Sequence, residues 1–178
     1  MKHILKVIMF LSLTSITWAT QNQFIFDIID TNNTHIKIKG MGAKLDITGA
    51  KDKVVFIEFF GYRCPPCLRT IPHFINLKNK YKDKIEIIAI EVQGLNHTQL
   101  QNFTKQKGIN YHTVSDEKAG IFTNYIAQIT EWSGSIPLLL VIDKQGNIQA
   151  VQVGLVAQNI LENVIENLLY NKPLKPIQ

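Results

Sequence analysis

The chain has 178 residues, of which 46% are hydrophobic, and a formal net charge of +5. This length suffices for one well-buried core but is short for two independent domains. Because the lysines are scattered along the chain, they indicate solvated faces and loops, and nucleic-acid binding is not predicted. A basic surface for an acidic lipid or protein is the alternative.

Residues 1–19 have the pattern of a secretory signal peptide. Two lysines precede an apolar stretch from Val7 to Leu13, and residues 17–19 offer small side chains at the two positions that signal peptidase recognises. We predict cleavage after Ala19, with residues 20–178 as one domain in the periplasm or another extracytoplasmic space. An uncleaved membrane anchor over the same segment is the alternative. The absence of a cysteine at this point excludes a lipoprotein anchor.

The predicted elements then alternate between strands and helices. Apolar residues at every second position around Asn32-Asn33 predict an N-terminal β-hairpin, and three glycines predict a loop from Gly40 to Gly49. The further predicted strands are residues 54–60, 85–92, 111–114, 138–142 and 148–153, and the predicted helices are residues 66–81, 98–107, 117–128 and 159–170. This order predicts an α/β fold, in which helices cover both faces of a central sheet and the last two strands form an antiparallel edge.

The only two cysteines lie in the motif Cys64-Pro65-Pro66-Cys67. An exported domain held by structural disulfides carries more cysteines at wider separations, so this pair indicates a reactive site or a metal site. The motif begins a helix after an apolar strand, where unpaired backbone N–H groups favour a thiolate. Cys64 is then predicted to be an exposed nucleophile and Cys67, one turn deeper, its buried partner, as two-step disulfide exchange requires.

A metal site is the alternative reading of the cysteine pair. Structural zinc needs two further ligands, and no paired spacing is found among the histidines His35, His73, His97 and His112. Copper delivery normally uses a longer cysteine spacing. We therefore predict neither a metal nor a cofactor.

The segment from Val54 to Pro72 resembles the active-site strand and helix of thioredoxin-like proteins, especially the exported TlpA/ResA group. A second signature is Ser135-Ile136-Pro137 before the strand at 138–142, where that superfamily carries a cis-proline beside the cysteines. The resemblance extends from Lys53 to Tyr170. It implies a thioredoxin-like fold with a central mixed sheet, an N-terminal β-hairpin extension and an inserted β-α element within residues 85–114.

The resemblance also implies roles for individual residues. Cys64 is the nucleophile, Cys67 the resolving cysteine and Pro137 the cis-proline, and a trans proline at a strand start is the alternative. With a cis bond, the backbone of Ile136 is presented to an extended substrate segment for β-type pairing.

Glu58 departs from the TlpA/ResA pattern. Many members carry a glutamate three residues after the second cysteine, where this chain has Thr70. Thioredoxin instead has a buried acid six residues before the first cysteine, which is the position of Glu58. An acid within an apolar strand is costly to bury charged, so we expect a raised pKa and proton exchange with Cys67. An exposed strand face is the alternative for Glu58.

Three further residues are expected near the substrate. The family commonly has tryptophan immediately before the first cysteine, whereas this chain has Tyr62 and Arg63. We expect Tyr62 to contact substrate and the screened charge of Arg63 to have a modest effect on the cysteine. Trp132 either lines the substrate groove or packs under the cis-proline loop.

The resemblance implies an enzyme that reduces protein disulfides outside the cytoplasm, often those of apocytochrome c before haem attachment. Its electrons come from a membrane thiol reductant. The sequence contains no large helical insertion of the DsbA oxidase type between Cys67 and Pro137, and residues 23–39 are too few for an isomerase's dimerisation domain. Reductase is therefore predicted. Oxidase, isomerase and a binding module without turnover are the alternatives, and the oligomeric state is left open.

Overall fold

The computed structural model describes residues 22–172, and the predicted signal segment lies outside them. The strands are β1 (Phe24–Ile29), β2 (His35–Met41), β3 (Lys44–Ile47), β4 (Val54–Phe60), β5 (Ile85–Glu91), β6 (His112–Ser115), β7 (Leu138–Ile142) and β8 (Ile148–Val153). The helices are α1 (Pro65–Tyr81), α2 (His97–Lys107), α3 (Asp116–Ala119), α4 (Phe122–Thr130) and α5 (Gln158–Tyr170). No helix within the described range is long and apolar enough to cross a bilayer.

The main sheet has five strands in the order β6-β5-β4-β7-β8. Strand β4 pairs in parallel with β5, and β5 with β6, whereas β7 and β8 are antiparallel additions. Every residue of β4 is buried, because this strand is central and both faces of the sheet are covered. The predicted α/β fold with a central mixed sheet is confirmed.

Side chains of β4 alternate between two hydrophobic cores. Ile57 and Phe59 enter a core shared with α4 and the N-terminal strands. Phe56 and Phe60 enter the opposite core, which α1, α2 and α5 close. Because successive side chains of a strand point to opposite faces, Glu58 shares the face of Phe56 and Phe60 and lies under α1.

The N-terminal extension is a three-stranded antiparallel sheet, in the order β1-β2-β3. The prediction of a hairpin followed by a loop is therefore wrong for residues 44–47. A tight turn at Gly42, with φ of 56°, returns the chain along β2, and Leu45 and Ile47 are buried in the core below. Gly40 is a strand residue, and an added Cβ there would lie 2.7 Å from the Tyr125 ring. This glycine thus marks a close approach within a strand, although the composition of the segment resembles that of a loop.

The predicted helix at residues 117–128 is also incorrect, since two helices occupy this region. Helix α3 ends at Ala119, and Gly120 follows with φ of 58°. Glycine adopts this left-handed backbone readily, so the chain changes direction before α4 begins at Phe122.

A buried carboxylate joins the small sheet to the main one. Asp30, in the turn between β1 and β2, accepts hydrogen bonds from the backbone N–H groups of Asn32 at 2.8 Å and Thr34 at 2.7 Å. Its other oxygen accepts one from His112 Nδ1 on β6 at 2.6 Å. Burial opposes ionisation, but these hydrogen bonds outweigh it and lower the pKa of Asp30 below its ordinary value.

Candidate active site

Helix α1 begins at the cysteine motif. Cys64 has extended backbone dihedral angles and is the N-cap, and its Sγ accepts the N–H of Cys67 at 3.3 Å. Pro65 and Pro66 occupy the first two helical positions, where the N–H that proline lacks has no intrahelical partner in any case. The local sequence therefore places both sulfurs at the positive end of the helix dipole. Cys64 and Cys67 form a disulfide with their Cα atoms 5.2 Å apart.

The two cysteines differ less in exposure than expected. Cys67 is fully buried, as predicted, but Cys64 is only 7% exposed in this disulfide form. The carbonyl oxygen of Ile136 lies 3.8 Å from Cys64 Sγ and shields it. Ile136 belongs to the loop before β7, which therefore covers Cys64 on this side.

That loop carries a cis peptide bond between Ile136 and Pro137, as the resemblance implies. Pro137 is buried, and its carbonyl oxygen accepts the N–H of Gly154 at 2.8 Å. Leu138 follows at once as the first residue of β7, which pairs with β4. The sheet thus holds the loop against the N-terminus of α1.

Glu58 is only 1% exposed, so the alternative of an exposed strand face is wrong. Burial raises its pKa to about 8, and a hydrogen bond from Thr70 opposes this rise only in part. Thr70 Oγ1 lies 2.7 Å from Glu58 Oε1 and also 2.7 Å from the carbonyl oxygen of Cys67. Thr70, which replaces the glutamate of the family pattern, therefore connects the buried acid to the helical turn of Cys67.

Trp132 braces the cis-proline loop. Its indole N–H donates to the carbonyl oxygen of Ser135 at 2.7 Å, and its ring centroid lies 5.0 Å from that of Phe59. Of the two predicted alternatives, these contacts correspond to packing under the loop. Contact of Trp132 with substrate stays a prediction.

Tyr62 and Arg63 form the rim next to Cys64. Tyr62 is half-buried, Arg63 is exposed, and the guanidinium carbon lies 4.7 Å from the centroid of the Tyr62 ring. The backbone N–H groups of both residues bond to the side chains of Glu91 and Gln93. Those two residues are absent from the sequence-predicted site, although an acid that ends an apolar strand was a visible signal for Glu91.

Within residues 22–172 no three histidine, cysteine, aspartate or glutamate side chains converge on a metal-sized site.

The AhpC/TSA family profile matches residues 26–151, more than half of the chain. The chain belongs to the AhpC/TSA family.

Individual relatives of this AhpC/TSA family member indicate which kind of enzyme within the family it resembles. A thiol-disulfide oxidoreductase ResA from Bacillus cereus is 29% identical over 128 residues, covering 71% of this chain and 70% of the relative. ResA from Bacillus subtilis (strain 168) is 25% identical over 123 residues, covering 68% and 65%. The resemblance to the ResA proteins is confirmed. With the Cys64–Cys67 disulfide, it makes this family member a thiol-disulfide oxidoreductase.

A solved structure supports the fold. The crystal structure of a thiol:disulfide interchange protein of the thioredoxin family from Chlorobium tepidum TLS matches with a TM-score of 0.64 at 21% identity. The match covers 82% of this chain and 93% of that one. The thioredoxin-like fold of this AhpC/TSA family member is confirmed.

Proposed function

We propose that the protein is an extracytoplasmic reductase of protein disulfides. The observation that carries the proposal is the Cys64–Cys67 pair at the start of α1, with the cis-proline loop beside it and the buried Glu58 connected to the turn of Cys67 through Thr70. The signal-peptide pattern of residues 1–19 supports export, and the resemblance to the TlpA/ResA group supports reduction rather than oxidation.

In the first step, the Cys64 thiolate of the reduced enzyme attacks one sulfur of a substrate disulfide. A new S–S bond joins Cys64 to the substrate, and the other substrate sulfur leaves as a thiolate. The backbone of Ile136 pairs with the extended substrate segment beside the attacked sulfur. The helix N-terminus stabilises the negative charge on Cys64 before attack.

In the second step, Cys67 loses its proton and attacks Cys64 Sγ. The Cys64–Cys67 disulfide forms, and the second substrate sulfur leaves as a thiolate that takes up a proton. Two electrons have then passed from the enzyme dithiol to the substrate. We assign the proton from Cys67 to the ionised form of Glu58, which is a minor fraction at neutral pH and becomes the major form as the pH rises through its pKa of about 8.

A further dithiol must reduce the enzyme disulfide to complete the cycle, and we propose a membrane thiol reductant as its source. The proposed substrates are oxidised cysteine pairs of exported proteins, including the haem-attachment cysteines of apocytochrome c. N-terminal sequencing of the exported protein tests the location, and a mature chain that begins at Thr20 is the expected result.

The reduction potential of the Cys64–Cys67 pair tests the direction. A reductase has a comparatively stable disulfide, so we expect a value nearer to the roughly −270 mV of thioredoxin than to the roughly −120 mV of the oxidase DsbA. Equilibration of the purified domain with glutathione buffers gives the number. A potential above about −160 mV would overturn the reductase assignment in favour of disulfide formation.

A binding module without turnover is separated by a different assay. A reductase catalyses the reduction of insulin by dithiothreitol, and a Cys67→Ser variant accumulates the mixed disulfide because the resolving thiol is gone. If the wild-type protein does not reduce insulin and the Cys67→Ser variant accumulates no mixed disulfide, the protein is a binding module.

A further inference from the structure

The turn that precedes Cys64 is hydrogen-bonded to a segment about 30 residues further along the chain. Gly61, Tyr62 and Arg63 form this active-site turn. Residues 91–95, which we call the β5–α2 segment, run beside it from the last residue of β5 towards the start of α2. The backbone N–H of Val92 donates to the carbonyl oxygen of Phe60 at 2.9 Å, so the two segments are already joined where β4 ends.

Glu91 makes the most buried of these connections. Its side chain is 0% exposed and accepts the backbone N–H of Tyr62 at 3.3 Å. It also accepts the N–H groups of Gln93 at 2.9 Å and Leu95 at 2.8 Å from its own segment. A buried carboxylate needs such donors, because burial without partners is strongly unfavourable. The steps of the proposed reaction make no use of Glu91, so its burial beside the active-site turn calls for another role.

Gln93 makes the second connection at the surface. Its Oε1 accepts the backbone N–H of Arg63 at 2.9 Å. Its side chain packs so closely on Gly61 that an added Cβ at that position would overlap it. Gly61 is therefore required for this close approach of a side chain to the backbone.

These contacts give three successive backbone N–H groups a hydrogen-bond partner. The N–H of Tyr62 bonds to Glu91, that of Arg63 to Gln93, and that of Cys64 to the carbonyl oxygen of Gly61 at 3.1 Å. With its backbone held in this way, the turn presents the stacked side chains of Tyr62 and Arg63 in one orientation next to Cys64.

We propose that Glu91 and Gln93 are positioning residues, which hold the active-site turn so that Tyr62 and Arg63 form a fixed edge for a protein substrate. The inference rests on the proposed function, since it requires a protein disulfide to dock beside Cys64. A fixed edge lowers the ordering cost of docking, so its loss raises KM for a large substrate more than for a small one.

Two variants disturb the same contact by different means. Gln93→Ala removes the acceptor, and Gly61→Ala displaces the Gln93 side chain with a methyl group. Gln106→Ala, on the exposed side of α2, is the matched control. We expect faster hydrogen exchange of the Arg63 amide in both variants and wild-type exchange in the control. We also expect KM for insulin to rise about fivefold relative to KM for oxidised glutathione, the factor that corresponds to one hydrogen bond of about 1 kcal/mol.

The double variant sharpens the test. Once Gln93 is alanine, a methyl group on Gly61 has room, so Gly61→Ala combined with Gln93→Ala should match Gln93→Ala alone. Independent effects of the two substitutions would instead multiply and would contradict a shared contact. Glu91→Gln keeps one of the two accepting oxygens, so we expect faster exchange of at least one of the three amides that Glu91 accepts, those of Tyr62, Gln93 and Leu95. If that variant does not fold, the Gln93 and Gly61 variants still test whether the β5–α2 segment holds the active-site turn.

The outcomes separate this inference from the proposed function. Unchanged Arg63 exchange in both single variants would show that the β5–α2 segment does not hold the turn. Faster exchange with an unchanged ratio of the two KM values would overturn the substrate-positioning role. A wild-type protein without insulin reduction would overturn the proposed function and the substrate edge with it, whereas hydrogen exchange would still report whether Glu91 and Gln93 hold the turn.

Discussion

Glu58 is a carboxyl group within a strand in which every residue is buried. Its pKa is raised from 4.5 to about 8 by burial, so it keeps its proton at neutral pH in the folded protein. In the unfolded chain the same group ionises near 4.5. Between these values the unfolded state binds fewer protons, so the stability associated with Glu58 is present below about pH 4.5 and is lost as the pH rises through about 8.

Glu58→Gln removes this titration and keeps the shape. We expect the free energy of unfolding of the variant, relative to wild type, to increase from pH 4.5 to pH 8 by at most about 5 kcal/mol. Urea denaturation of the oxidised proteins at a series of pH values measures the difference. Glu131→Gln, at an exposed position, serves as the control, and a difference between Glu58→Gln and wild type that is flat across this range would contradict a buried, protonated Glu58.

The same substitution tests the proton transfer. In single-turnover experiments we expect Glu58→Gln to slow resolution of the mixed disulfide about 100-fold, the lower end of the contribution of general acid–base catalysis. The first attack by Cys64 should be largely preserved, because that step does not use Glu58. Equal rates of resolution in variant and wild type between pH 6 and 9 would make Glu58 a structural residue.

The hydroxyl group of Thr70 influences the protonation of Glu58 through its single hydrogen. A threonine hydroxyl donates once, yet two acceptors lie 2.7 Å away, Glu58 Oε1 and the carbonyl oxygen of Cys67. Donation to the ionised Glu58 favours the charged form, whereas a protonated Glu58 can itself donate to Thr70, leaving the hydroxyl hydrogen for the Cys67 carbonyl. Thr70 is therefore arranged to follow the protonation state of the acid.

Thr70→Val removes this donor at nearly constant shape. Because the hydrogen bond lowers the pKa of Glu58, its loss should raise that pKa above about 8. The pH at which resolution of the mixed disulfide is half-maximal should move upwards in Thr70→Val and return towards the wild-type value in Thr70→Ser. A shift of the same size in both variants would point to altered packing instead.

At the scale of elements, two pairs of aspartate and histidine allow a direct comparison. The buried pair, Asp30 and His112, joins the small sheet to β6, and the carboxylate is 0% exposed. The other pair, Asp27 and His35, bridges β1 and β2 at 3.0 Å, with side chains 45% and 60% exposed. Exposed pairs contribute little, whereas removal of one partner from a buried pair leaves polar groups without bonds.

We therefore expect Asp30→Ala to reduce the free energy of unfolding at pH 7 by about 2 to 4 kcal/mol and Asp27→Ala by about 0.5 kcal/mol or less. Because the folded pKa of Asp30 is lowered, its contribution is present above about pH 3.8 and is lost as the pH falls through the folded pKa. Urea denaturation of both variants provides the comparison. Similar losses for the two aspartates would show that the small sheet is held by its apolar face alone.

At the scale of the whole molecule, the redox state of one cysteine pair is linked to the stability of the entire domain. Unfolding and oxidation of the cysteine pair form one thermodynamic cycle. If folding makes the disulfide harder to reduce, the disulfide in turn stabilises the folded protein, whereas the strong oxidant DsbA is more stable in its reduced form. The proposed reductase function thus predicts that the oxidised protein unfolds at a higher urea concentration than the reduced protein.

Urea denaturation with and without dithiothreitol measures this difference. A Cys64→Ser, Cys67→Ser double variant controls for other effects of the reductant and should show a single midpoint. A reduced wild-type protein more stable than the oxidised one would favour the oxidase alternative, because the sign of the difference follows the direction in which the folded protein shifts the potential.

The main sheet and its helices could be predicted because their signals are local. The apolar run of β4, the helical spacing of α1 and the proline and glycine positions are all set within a few residues of each other. The prediction was wrong at β3 and at α3, where the local signal conflicts with the fold. Residues 44–47 lie between glycines and have the composition of a loop, but their pairing with β2 makes them a strand. A single glycine such as Gly120 is often tolerated within a helix, but here its positive φ ends α3.

The sequence by itself determined the proposed reactive centre, since Cys64, Cys67 and Pro137 are recognisable from their neighbours and from the resemblance. Only the tertiary structure decided what surrounds that centre. Glu58 meets Thr70 across 12 residues, and the active-site turn meets Glu91 and Gln93 across about 30. Hydrogen bonds between distant segments exist only after strands and helices have packed, because each depends on the position of a partner that local backbone preferences do not encode.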